Sequence, residues 1–490
     1  MTPRRRLGVG LAAALGFGAA ALLVPEPPVD PAGAPPPRPF VWGQDDVWAT
    51  LERDFDAARA RGCEAETPAI DEGLAALDAH LEQLEGAPVP HDAPMLSRLE
   101  AALFGLAARL GGACPARVPE LAERVRRLRV ALEDQRRAWD IPRDRAARDA
   151  SYRLLYGSRA ALEELLLQMD DSPGPPGLLR GLDEPSAAPS VEVLGVRLHS
   201  GDVLVSRGGA PTSAFIARGN DYPGNFSHVA LLHVAEDGAA HVIESHIESG
   251  LGVFSLERYL ADTKLRIMAL RLRSDHPAVA TDPLLAHRAA TDALERAQGG
   301  HVPYDFAMDW RDPSALFCSE VAYAPYAARG VHLWSGLSSM SSPGLTRWLA
   351  QFGVRNFETL APSDLEHDPQ VRVVAEWREP DTLFDDHVDN AVLDVLLERA
   401  EAGLEVDYDY ARLPLARLVK GYSVALNLFG AVGPIPEGMS AATGLRVEWL
   451  SAQHGAIRDQ IRARAAEYRA RHGRRPPYWT LVAMGRSPPR

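Results

Sequence analysis

The chain has 490 residues, 46% hydrophobic and 24% charged, which points to a globular protein of roughly two to four domains and excludes bulk disorder, collagen and a multi-span membrane protein. A formal net charge of −14 opposes nucleic-acid binding, and three cysteines exclude a disulfide-dense scaffold or a cysteine-only zinc site.

Residues 1–24 join a basic start (Arg4, Arg5, Arg6) to an uncharged stretch at 7–24, the pattern of a secretory signal or an N-terminal membrane anchor. The expected location is outside the cytoplasm, in the periplasm or cell envelope. No cysteine follows the stretch closely enough for lipidation, and a proline-rich linker occupies 25–44. Residues 45–170 read as an antiparallel helical bundle. Ile70, Leu74, Leu77, Leu81 and Leu84 recur at alternating spacings of four and three, as do Leu96 to Leu110 and Val118 to Leu132. Each stripe needs a partner to bury against, so these residues are read as core. Cys63 and Cys114 fall in loops at the same end of such a bundle, and an exported chain can oxidise them, so a Cys63–Cys114 disulfide is predicted. Cys318 is left over.

A second Pro/Gly-rich linker covers 171–191. The pattern then changes to short β-branched runs: VEVLGVRL, DVLVS, HVALLHV, HVIES, RIMALRL and QVRVVAEW, with a helix at 283–298. Residues 381–490 read as mainly helical, with Val388, Val392, Val395 and Leu396 on one face. The segment 414–432 is apolar but too short and interrupted to span a bilayer; it packs on the preceding region or touches a membrane. Seven arginines in 458–475 read as a solvated helix face, with contact to anionic lipid or cell-wall polymer as the minor reading.

Chemistry concentrates in the middle region. Asp312-Pro313 resembles a helix cap, placing a helix start between 313 and 318 and Cys318 near its N-terminus, where exposed N–H groups favour a thiolate. Pro325 should shorten or kink that helix. His228 opens a strand. A three-residue turn at Glu236-Asp237-Gly238 would pair Ala235 with Ala239 and put Glu244 diagonally beside His228, on the same face as His246. A two-residue turn would flip Glu244 to the other face. His246 is the rival orienter of His228. The run His241-Val-Ile-Glu244-Ser-His246 looks like a zinc signature, but its two histidines are five apart and point to opposite faces of a strand, so no metal is expected.

The order Gly201-Asp202-Val203, Ser227-His228-Val229, Val242-Ile243-Glu244, Gly300 to Asp305 and Phe317-Cys318-Ser319-Glu320 resembles the circularly permuted NlpC-type papain-like cysteine hydrolases of the YiiX/YebB-like branch. The resemblance covers about 195–350. It implies an α+β permuted papain-like catalytic domain at 192–380, with Cys318 as nucleophile, His228 as base, Glu244 as the third polar residue and Tyr304 near the substrate. No cofactor is expected. The implied substrate is a cell-wall peptide amide, with a lipid acyl ester or amide as the alternative. The rival from another class is a non-catalytic envelope scaffold. The expected partners exclude nucleic acid and include peripheral membrane contact.

Overall fold

In this computed structural model residues 22–26, 31, 33–169 and 177–488 are described. Most of the expected signal or anchor, and the start of the second linker, lie outside them. The bundle has five helices, α1 (Gln44–Arg61), α2 (Cys63–Gly86), α3 (Pro94–Ala113), α4 (Val118–Gln135) and α5 (Arg145–Gln168), with the three stripes on α2, α3 and α4. Every stripe residue named above from α2, α3 and α4 is buried in one core with Leu155, Leu162 and Leu166 of α5. Asp144 caps α5 by accepting from the Ala146 and Ala147 N–H groups. Cys63 opens α2, Cys114 follows α3, and the two form a disulfide with Cα atoms 4.9 Å apart.

The middle region runs through β1 (Leu178–Arg180), β2 (Ser190–Val193), β3 (Val196–His199), β4 (Val203–Gly208), α6 (Pro211–Arg218), β5 (His228–Val234), β6 (Ala240–His246) and β7 (Gly250–Ser255). It continues through α7 (Leu256–Ala261), β8 (Lys264–Leu272), α8 (Pro277–Thr281), α9 (Leu285–Gln298), α10 (Glu320–Ala328), β9 (Ser338–Ser339), α11 (Pro343–Gln351), β10 (Glu358–Thr359) and β11 (Val371–Trp377). Seven strands form one sheet in the order β1-β11-β8-β4-β5-β6-β7, and every neighbouring pair is antiparallel. Strand alternation divides its side chains between two cores. Val205, Val229, Leu231, Ile243 and Met268 pack with Ala289 and Ala293 of α9 and Val321 and Tyr326 of α10. Leu204, Ala230, Leu232, Val242 and Ala269 pack with the β2–β3 hairpin and Tyr259.

The C-terminal region is helical: α12 (Pro380–Glu401), α13 (Leu413–Asn427), α14 (Ala441–His472) and α15 (Tyr478–Arg486). The expected face Val388, Val392, Val395 and Leu396 buries against Ile457, Ile461 and Leu481. Among the described residues no helix is long and apolar enough to cross a membrane.

A buried charge cluster joins the regions. Arg159 and Glu163 come from α5, Arg207 from β4, Arg266 from β8, Glu376 from β11 and Asp386 from α12, with Glu366 and Arg378 beside β11. Four guanidinium groups thus face four carboxylates. Glu163 Oε1 accepts from Arg266 at 2.5 Å and Arg378 at 2.6 Å, Arg159 lies 2.9 Å from Glu376, and Arg207 lies 3.0 Å from Asp386. Burial disfavours the Glu163 charge, but Arg266 and Arg378 outweigh it and hold the carboxyl well below its ordinary range.

The disulfide closes a loop over a sequence separation of 51. Chain entropy assigns such a loop about 4 kcal/mol. Reduction of the wild type should lower the melting temperature, Cys63→Ser should lower it similarly, and reductant should then have no further effect on the variant; calorimetry checks all three.

Candidate active site

The residue that opens β5 is held from both sides. In the preceding loop the Phe226 N–H donates to Ser363 Oγ at 2.8 Å, and that hydroxyl donates back to the Phe226 carbonyl at 2.9 Å. Gly224 permits this approach, since a Cβ there would lie 2.2 Å from the Ser363 Cβ. Asp221 accepts from the Ser339 hydroxyl at 2.6 Å and from the Ser341 N–H at 2.9 Å, tying the loop to β9. Ser206 of β4 pairs with His228 itself.

The turn after β5 is the three-residue one. The Ala235 N–H donates to the Ala239 carbonyl at 2.9 Å, and Gly238 has φ 86°. Ala230 therefore pairs with Glu244, and His228, Glu244 and His246 share a face. His228 Nε2 lies 2.8 Å from Glu244 Oε2, and His246 Nε2 lies 3.2 Å from Glu244 Oε1. One buried carboxylate thus holds both rings, whose centroids are 5.4 Å apart. The orienter and its rival are parts of one arrangement.

Cys318 comes from the other core. Its Sγ lies 3.9 Å from the carbonyl oxygen of Ser227, the residue just before His228. Ser245, between Glu244 and His246, donates its hydroxyl to the Leu316 carbonyl at 2.6 Å, and the Leu316 N–H donates to the Pro303 carbonyl at 3.0 Å. The Leu251 N–H of β7 donates to the Val302 carbonyl at 3.0 Å. These bonds stitch the Tyr304 and Cys318 segments to the histidine hairpin. The helix starts at Glu320, later than the sequence predicts, because Asp312 accepts from the Ser314 N–H in a local turn instead of capping a helix. Cys318 therefore precedes the helix by two residues. Pro325 lies inside a helix of 9 residues, consistent with the expected shortening.

Electrostatics link the groups. Burial disfavours the His228 cation, but hydrogen bonding and charge attraction to Cys318 and Glu244 outweigh it and raise the imidazole to about 9. Burial likewise works against the Glu244 charge, yet His228 and His246 pull the carboxyl down to about 2. Burial, with Cys318 and Asp305 near, holds the Tyr304 phenol well above its ordinary value. Its ring also meets Phe306 edge-on at 5.0 Å.

Glu320, in the cysteine motif, has a part that the sequence pattern does not reveal. Its carboxylate accepts from the Phe317 N–H at 2.9 Å. Burial, together with Asp305 and Cys318, pushes the carboxyl up to about 8 against that bond, so it is mostly protonated at neutral pH. The available signal was a carboxylate two residues after the cysteine at a helix start. His241, by contrast, stands away from the set, its ring 6.1 Å from that of His233. The ligand atoms of His228, Glu244 and His246 all lie within 4.8 Å of one another, a set that can hold a metal ion and does not include His241.

Residues 197–375 match the family model described as permuted papain-like amidase enzyme, YaeF/YiiX, C92 family. Among solved structures the chain is similar to the metalloprotein YiiX from Escherichia coli O157:H7, at 19% identity over 36% of this chain and 97% of that one, with a TM-score of 0.29. No curated protein matches. Over those residues the chain is similar to the permuted papain-like YaeF/YiiX amidases, and the family match supports a hydrolase of the papain-like class. The bundle and the C-terminal helices lie outside it.

The folded His228 value of about 9 exceeds the ordinary 6.5, so its pairing stabilises fully below 6.5 and is lost as pH rises through 9. The Glu244 contribution is present above 4.5 and is lost as pH falls through 2. NMR titration of the His228 ring should give a midpoint near 9 in the wild type and a lower one in Glu244→Gln.

Proposed function

We propose that this chain is an exported cysteine hydrolase that cleaves an amide, with Cys318 as nucleophile, His228 as base and Glu244 as its orienting carboxylate. The reading rests on one observation above all. The Cys318 Sγ lies 3.9 Å from the carbonyl of the residue before His228, and the His228 ring lies 2.8 Å from the buried Glu244 carboxylate, within the stretch that matches the permuted papain-like family. Export follows from the basic, then uncharged, start of the sequence, and it agrees with the Cys63–Cys114 bridge.

His228 takes the Cys318 proton and stays as imidazolium, stabilised by Glu244. The thiolate attacks the carbonyl carbon. As the C–N bond breaks, His228 gives its proton to the leaving amine, which leaves an acyl thioester on Cys318. Water then attacks with His228 as base, releasing the acid and the thiol. The protonated Glu320 carboxyl keeps a second negative charge away from the thiolate. Tyr304, retained as the phenol, is the proposed donor to a substrate oxygen. The first substrate class is the peptide amide of cell-wall polymer; an acyl lipid ester or amide is the alternative on the same groups.

A second reading has its own observation, the convergence of His228, Glu244 and His246 on a set suited to a divalent cation, which would make the reaction a metal-assisted hydrolysis. The experiment separates the readings. Cys318→Ala should lower hydrolysis of a cell-wall peptide by on the order of a thousandfold or more, while EDTA leaves the wild type unaffected. Retained activity in Cys318→Ala together with loss in EDTA would reverse the assignment. A fully folded wild type inactive on both peptide and acyl substrates would favour the scaffold.

A further inference from the structure

Helix α13 is amphipathic in an inverted sense. Leu413 and Ala416 are buried near Ala441, Ala442 and Leu445 of α14, and the buried Ser423 hydroxyl accepts from the Ile435 N–H at 3.0 Å. Several of its large apolar residues face outward. Leu415, Leu418 and Tyr422 are 62%, 60% and 58% exposed, and Leu428 and Phe429 in the following turn are 81% and 87% exposed. Large apolar side chains scattered singly over a surface need no explanation, but this run concentrates them on one helix face and its adjoining turn.

Two further observations say what covers that face. Residues 410–436 contain Arg412, Arg417 and Lys420 and no acidic residue, between Asp409 and Glu437; Arg412 pairs with Glu448 at 2.6 Å and Lys420 donates to the Pro436 and Glu437 carbonyls, so lipid phosphates would compete with these partners. The uncharged N-terminal stretch ends at Val24, and the Val24 carbonyl accepts from Arg417 at 2.6 Å. Glu26 is held next to it by the Ser440 hydroxyl at 2.9 Å. The chain thus leaves this same face toward its most apolar segment. A helix of 15 residues spans about 22 Å, too short to cross a hydrocarbon core of about 30 Å. Cations beside an apolar face with Tyr and Phe are the composition of an element lying in the headgroup layer.

We propose that α13 and the 428–432 turn form an interfacial membrane-binding element that docks the protein on an anionic phospholipid surface. Leu415, Leu418 and Tyr422 enter the acyl boundary, and Leu428 and Phe429 form the tip. Arg412, Arg417 and Lys420 meet the lipid phosphates. The assignment of this element does not depend on the reaction proposed at Cys318.

The test uses the full chain carrying Cys318→Ala and Phe429→Cys. Cys63 and Cys114 are paired, so residue 429 alone takes an NBD fluorophore. A local probe is needed because the N-terminal stretch could itself bind vesicles. With vesicles of phosphatidylcholine and phosphatidylglycerol the emission should shift to the blue and rise severalfold. Binding should be on the order of a hundredfold weaker with phosphatidylcholine alone, should weaken with salt, and should be reduced by adding Leu418→Asp. Emission that stays water-like with both vesicles would overturn the proposal. So would emission already blue-shifted without lipid, with sedimentation then telling a second copy from cover by the chain's own N-terminal segment.

Discussion

Four buried guanidinium groups and four buried carboxylates meet where the bundle, the sheet and α12 join, and the arrangement of the three regions rests on that balance. Each ion is costly to remove from water alone, and only a partner with good geometry offsets the loss. Glu163 of α5 bonds Arg266 of the sheet and Arg378 at its edge, while Asp386 of α12 takes Arg207 and Arg266. No region can withdraw without stranding a charge. Arg207 also follows Ser206, the strand partner of His228, so the cluster fastens the strand next to the reactive histidine.

The site depends on a chain of smaller constraints. A glycine in the left-handed region at position 238 closes a three-residue turn, the turn sets the pairing of Ala230 with Glu244, and the pairing puts both imidazoles on the face of one carboxylate. A slip of one residue would send Glu244 to the opposite face. The Ser245 bond to the Leu316 carbonyl then brings the cysteine segment to that hairpin. Charge follows position. Glu244 serves two rings and is held ionised, whereas for Glu320 the Phe317 N–H and the attraction of Arg296 do not outweigh burial, and it is held protonated.

Much of this was legible locally. The leucine stripes, the β-branched runs and the Glu-Asp-Gly turn report short-range periodicity and turn chemistry, and each corresponds to an element at nearly the same residues. The failures are equally local. Asp312-Pro313 has the composition of a helix cap, but Asp312 satisfies the Ser314 N–H, and the helix waits until Glu320. Strands β1 and β7 were not anticipated. One is three residues long, and the other is glycine-bearing and exists because β6 offers it an edge. The inverted polarity of α13 was also hidden, since an apolar run does not say which of its faces has a neighbour.

The amino-acid order by itself determined the helical and sheet segments and the permuted order of histidine before cysteine, because each depends on residues close in the chain or on a fixed alternation; for Glu244 it offered two registers, and the three-residue turn decided between them. Only the tertiary structure decided that Glu244 holds two imidazoles, that Glu320 keeps its proton, that four arginines find four carboxylates, and that Leu428 and Phe429 stay uncovered. Those outcomes depend on desolvation and on contacts between residues far apart in the chain, which no local pattern encodes.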